Sequence, residues 1–215
     1  MKCLWLLCIL LVPFGVSAQD DDDDESARLY IANEVSIGLG AAFPAEKDPF
    51  NIPGEPRIPT SPGINLGYRR YIQERVALGV RLYGYYNKLS NYFVTFPNSS
   101  TPVQADFTIN TITIAFEGTM LFGRRPLQPY AFLMLGYVTG TLENDQAGSL
   151  GLNGVAGGGG VGIRAAVSHK VAIALEGMAS FGTASWKQKP FTNSSGDKFN
   201  PSMFVALATV LIGWD

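Results

Sequence analysis

Beyond residue 28 the chain repeats one pattern. Apolar residues recur at every second position over strand-length segments, and polar stretches separate the segments. Val171, Ile173 and Leu175 share one face of such a segment, with Ala172, Ala174, Glu176 and Ser180 on the other. Ile112, Ile114, Phe116, Met120 and Phe122 oppose Thr111, Thr113, Glu117 and Thr119; Val35, Ile37, Leu39 and Phe43 oppose Glu34, Ser36 and Gly40. A period of two is the signature of a β-strand with one apolar face. The pattern predicts eight strands, at about 30–43, 62–72, 75–90, 105–122, 128–142, 154–167, 170–185 and 201–214. The fifth and eighth are apolar on both faces. For the eighth, the face of Phe204, Val210, Ile212 and Trp214 is assigned outward and Thr209 inward.

The connections alternate in length. Residues 44–61, 91–104, 143–153 and 186–200 read as long polar loops, and 73–74, 124–127 and 168–169 as tight turns. An up-and-down meander that crosses a membrane has short turns on the periplasmic side and longer loops outside. No segment after residue 18 is apolar for long enough to be a transmembrane helix. The fold class expected is therefore all-β: an eight-stranded antiparallel up-and-down transmembrane β-barrel, occupying residues 29–215 as one domain. Its apolar face would meet outer-membrane lipid, since closure satisfies every backbone hydrogen bond inside a bilayer. Tyr68, Tyr71, Tyr86, Tyr92, Phe93, Tyr130 and Trp214 lie near strand ends, as interfacial aromatic girdles do.

The first 28 residues add a compartment. Lys2, the apolar run Leu4 to Val12 and the small residues Val16-Ser17-Ala18 make residues 1–18 a secretory signal peptide, against the alternative of an uncleaved anchor. Both cysteines, Cys3 and Cys8, fall inside it, so disulfides do not hold the exported chain together. Residues 19–28 read as an acidic flexible tail containing the run Asp20 to Glu25, with calcium binding or partner docking as alternatives. Apart from Lys2, the chain's Lys and Arg number 15 against 18 Asp and Glu. Without the six acids of the tail the balance turns positive, yet no basic stripe suggests nucleic acid.

Candidate chemistry is sparse. Residues 157–162 match the dinucleotide pattern G-x-G-x-x-G, but Ile163 to Val167 continues a strand where a helix is required. The glycines are better read as relieving crowding inside a small barrel. His169, the single histidine, stands in a predicted periplasmic turn, away from any outer-side hydrolytic site. With no cysteine beyond the signal, zinc is not expected, nor is a cofactor or catalytic residue. The sharper constellation is Arg69, Arg81, Glu117, Arg164 and Glu176, each on the polar face of its strand. Charges facing lipid are penalised by a few kcal/mol, so these should form an interior network. Their spacing about the hairpins predicts the pairs Arg81–Glu117 and Arg164–Glu176, with an ion-conducting path as the alternative.

The Val16-Ser17-Ala18 signal, Gly-x-Gly elements such as Gly38-Leu39-Gly40 and the aromatic-ended last strand resemble the small outer-membrane β-barrel proteins of the OmpA/OmpX type, the porin-family β-barrel domain. The resemblance implies location in the bacterial outer membrane. It also implies that Trp214 is read as an insertion signal by the barrel-assembly machinery, although Asp215 after it departs from the family's aromatic end. The function expected is structural or surface-interacting, through extracellular loops that could hold a surface partner, with a salt-bridged and largely closed lumen. The alternatives are a narrow porin-like channel for ions or small solutes, a soluble exported lipocalin-like ligand carrier, and an unrecognised barrel enzyme.

Overall fold

The computed structural model describes residues 33–45, 59–96, 100–123, 127–144, 148–187 and 198–214; the signal, the acidic tail and Asp215 lie outside them. Among these residues nine strands form: β1 (Asn33–Pro44), β2 (Ser61–Gln73), β3 (Val76–Val94), β4 (Val103–Leu121), β5 (Leu127–Asn144), β6 (Gly148–Ala166), β7 (Val171–Trp186), the two-residue β8 (Lys198–Phe199) and β9 (Met203–Trp214). Each barrel strand pairs antiparallel with its sequence neighbour, β7 pairs with β9, and β9 closes on β1. An even strand count closes without a parallel seam. Short β8 lies outside this ring of eight and pairs only with β7.

The ring is staggered. Cross-strand partners lead from Glu34 through Arg69, Gly79, Glu117, Met134, Gly158, Ser180 and Met203 back to β1 at Pro44, ten residues further along the strand. Such a shear tilts the strands by roughly 35–45° and leaves an interior just wide enough for side chains.

The outer surface is an apolar belt. Phe116, Leu133 and Leu135 are 78%, 75% and 69% exposed, and Leu39, Ile64, Leu78, Ile112, Leu175 and Val210 join them. The inner face carries Glu34, Arg69, Arg81, Glu117, Arg164 and Glu176, all buried. This distribution is the reverse of a soluble carrier's, so the lipocalin-like alternative is corrected: only hydrocarbon can cover such a belt. In β9 the Phe204–Trp214 face points outward, and Met203, Val205, Leu207, Thr209 and Leu211 are buried.

Two local expectations change. The stretch 143–153 is not a long loop: Asn144 pairs with Gly148, and β6 runs from there. Polar residues disguised the strands, because outside a membrane the outward face is polar while Leu142 and Leu152 alternate inward. Tyr71, Tyr92 and Tyr130 are not girdle residues but lie inside, at 5% exposure or less. Tyr71 and Tyr130 have the inward parity of Arg69 and Phe132. Tyr92 is turned inward by a β-bulge between Leu89 and Tyr92, where Asn91 adopts φ 66° and leaves Phe93 outward. The girdles that form pair Tyr68 with Trp214 at the turn end (ring centroids 6.3 Å) and Phe181 with Phe204 towards the loop end (6.5 Å).

Candidate functional site

The interior divides into two stories. Towards the turn end, three arginines and three glutamates form one connected and formally neutral network. Glu117 on β4 accepts from Arg69 Nε at 2.5 Å, from Arg81 Nε, and from the Thr119 hydroxyl at 2.7 Å. Arg81 Nη1 donates to Glu176 on β7 at 2.7 Å. Arg69 Nη1 reaches Glu34 on β1 at 3.2 Å, and Arg164 Nη1 donates to the other oxygen of Glu34 at 2.8 Å. Arg164 also donates to the Tyr71 hydroxyl (2.8 Å) and, through Nε, to Gln128 (2.9 Å). Every carboxylate thus meets at least one guanidinium, which offsets the cost of drawing charges out of water.

Register explains who meets whom. Arg81 faces Ala115 across β3–β4, two residues from Glu117, so the predicted pair meets on a diagonal. Arg164 faces Ala174 and Glu176 faces Gly162, so the hairpin geometry had set those two on a diagonal as well. The structure corrects that pair: Arg164 turns to Glu34, and Glu176 turns to Arg81. The barrel's curvature makes contacts across the lumen shorter than some along the wall. Glu34 is the member that sequence reasoning left out, although its place opposite Val35 and Ile37 on an alternating strand marked it as inward.

Aromatic rings and glycines support the network. The Arg81 guanidinium lies over the Phe132 ring at 4.3 Å and that of Arg69 over Tyr130 at 5.6 Å. Phe132 pairs with Gly160, and Tyr130 with Gly162. A Cβ at Gly160 would stand 2.6 Å from the Phe132 ring, and one at Gly162 would stand 2.5 Å from the Tyr130 ring. The glycine run that matched a nucleotide motif therefore clears space for the rings on which the arginines rest.

Towards the loop end the interior is largely apolar, with Asn87, paired with Ile109, buried at the same level. Leu89, Tyr92, Phe107, Leu142, Leu152 and Trp186 converge with Phe199 in one cluster. Short β8 places Phe199 against Trp186, with ring centroids 5.5 Å apart. Sequence reasoning missed this plug because it read much of its backbone as loop; the alternation of Leu142, Leu150 and Leu152 was the available signal. Between the two stories Tyr83 and Ser180 share a hydrogen bond at 2.8 Å.

Among the described residues no cluster of His, Cys, Asp or Glu could hold a metal ion, and the three interior glutamates are engaged by arginines. His169 lines a small pocket at the turn end with Glu34, Gln128, Arg164, Ser168 and Lys170. The Ser168 hydroxyl there accepts from the backbone N–H of Val171 at 3.1 Å.

No protein-family model and no curated protein matches the chain. Solved structures do. It is similar to Neisserial surface protein A, with 14% identity, a TM-score of 0.54, and coverage of 85% of this chain and 97% of that one. It also matches Ail, the attachment invasion locus protein of Yersinia pestis, at 13% identity and TM-score 0.48, over 86% of this chain and all of that one. Outer Membrane Protein W of E. coli matches at 12% and 0.47, with the same coverages. At such identities the likeness is one of fold. The chain has the eight-stranded antiparallel fold and the apolar belt of a bacterial outer-membrane β-barrel.

Proposed function

We propose that the protein, exported by residues 1–18 and seated in the outer membrane, serves as a closed barrel whose loop end is a surface for interaction, without catalytic or conducting function. One observation carries this reading. Strands β3 to β7 continue past the apolar belt, where their outward residues become mostly polar, with Lys88, Asp106, Thr141, Glu143, Asn153 and Ser185 against an outward Phe93. Their inward residues build the apolar plug. A rigid sheet with a polar exterior is thereby held above the bilayer, and the lumen beneath it is filled twice, by the plug and by the ion network. A channel would need neither projection nor plug.

The test is conductance of the purified, refolded protein in planar bilayers, alongside binding of the protein to host or matrix surfaces. The expected result is no steady conductance and saturable binding that is lost when the outward charges Lys88, Asp106 and Glu143 are replaced by serine. A stable open current from the wild-type protein supports the narrow-channel alternative instead.

A further inference from the structure

The pocket at the turn end is lined by a buried cation with one donor to spare. Arg164 is only 8% exposed there. Its Nη1 donates to Glu34 and to the Tyr71 hydroxyl, both at 2.8 Å, and its Nε donates to Gln128 at 2.9 Å. Its Nη2 makes no hydrogen bond among the described residues. Arg69 and Arg81 also keep an unbonded Nη2, but those atoms are sealed inside the lumen. The Arg164 nitrogen is not sealed and opens on the pocket. A donor drawn largely out of water and left unpaired is costly, and a guanidinium is satisfied best by an anionic oxygen.

Ser168, His169 and Lys170, on the turn between β6 and β7, line the same space. The Ser168 hydroxyl oxygen accepts from the backbone N–H groups of Val171 at 3.1 Å and Lys170 at 3.3 Å, which leaves its own proton to donate. Lys170 is exposed and makes no ion pair among the described residues. Its backbone is fixed, because its carbonyl accepts from Gly213 N–H at 2.7 Å. Among the described residues Glu34 is the one acid that lines the pocket. Both its oxygens are engaged, Oε1 by Arg69 at 3.2 Å and Oε2 by Arg164 at 2.8 Å. The interior network is neutral, so Lys170 makes the mouth positive. The cavity is about 20 Å³, room for one water-sized atom. A larger group must enter by a single oxygen and keep the rest of itself at the mouth.

We propose that this pocket binds one small oxyanion, a phosphate or carboxylate group, with an oxygen at Arg164 Nη2 and Ser168 Oγ on the floor and with Lys170 and His169 at the mouth. The group is carried either by a free solute or by a lipid headgroup. The lining favours the solute. Glu34, Arg164 and Leu211 are buried inward residues, whereas headgroups lie outside the wall, beside exposed Arg70 and Arg75.

Phosphate titration followed by NMR tests it, on the purified, refolded protein in dodecyl maltoside micelles, which contain no phosphate. Inorganic phosphate should shift the Arg164 Nε–H resonance and the Ser168 and Lys170 amides along one saturable curve, while Arg75, at the turn between β2 and β3, stays in place. Acetate should compete for the same signals. Sodium chloride at matched ionic strength should not reproduce them. Lys170→Gln should weaken the apparent affinity severalfold, and Arg75→Gln should leave it unchanged. Shifts that never saturate, that appear equally at Arg75 or that chloride reproduces overturn the proposal, as does an affinity indifferent to Lys170→Gln. Phosphatidylglycerol mixed into the micelles separates the two sources. If it produces the saturable shifts without inorganic phosphate, the site is supported with a lipid headgroup as its ligand; if inorganic phosphate alone produces them, the site is supported with a free solute as its ligand.

Discussion

Glu117 is the residue on which the interior most depends. It takes the Nε hydrogen of two arginines and the hydroxyl of Thr119, whereas Glu176 takes one short bond from Arg81 and lies 3.9 Å from Arg69. Removing either carboxylate strands buried positive charge, which costs roughly 3–5 kcal/mol. Glu117→Ala should therefore lower the urea midpoint of unfolding more than Glu176→Ala, and both more than a lipid-facing Ile114→Ala. If both glutamate variants unfold with wild type, the network carries no stability. Gly160 fixes the ring beneath Arg81 by the space it leaves. Gly160→Ala should cost about 1–3 kcal/mol through overpacking against the Gly177 carbonyl on β7 and the Phe132 ring, measured in the same unfolding series.

At the scale of elements, two strands decide how side chains are aimed. The bulge in β3 lets Tyr92 join the plug and sends Phe93 out. Its pivot, Asn91, holds φ 66° with its backbone N–H on Asp106 Oδ1 at 3.0 Å and its Oδ1 accepting from Gln104 at 2.6 Å. Asn91→Gly should leave stability near wild type. Asn91→Val should cost about 1–3 kcal/mol, because a β-branched residue is strained in that region; equal stability of the two variants would mean that the backbone relaxes there. In β9 the parity is unambiguous: Thr209 is buried and Val210 is exposed to lipid. Val210→Arg should block membrane assembly more strongly than Thr209→Arg, as read by the folded, heat-modifiable band on gels, since a lipid-facing charge is penalised by about 2–4 kcal/mol at mid-membrane. The reverse order would turn the strand over.

For the whole molecule, the consequence of a shear of ten over eight strands is a lumen with room for side chains and little else. The tilt also decides which charges meet, because it brings Glu34 on β1 within reach of both Arg69 on β2 and Arg164 on β6. Orientation follows from the unequal ends. Single cysteines at Asn153 and His169 should be distinguished by a membrane-impermeant thiol reagent on intact cells, with Asn153→Cys labelled and His169→Cys protected. Labelling of His169→Cys alone would invert the barrel in the membrane.

Period-two alternation was enough to locate eight strands and their inward charges, because side-chain direction in a strand is a local property of the backbone; the last strand, apolar on both faces, took its orientation from Trp214 and Thr209 instead. Arg69, Arg81, Glu117, Arg164 and Glu176 were readable as interior for the same reason. Their partners were only partly readable. Arg81 with Glu117 is a hairpin contact, and sequence spacing reaches that far. Glu34 with Arg164 joins residues 130 positions apart through closure and shear, quantities set by the sum of registers around the ring. The plug at the loop end was hidden for a related reason: above the bilayer the outward face turns polar, and strands there resemble loops until their inward residues are seen to pack on one another. Sequence determined which way each residue faces; only the closed, tilted ring determined what it faces.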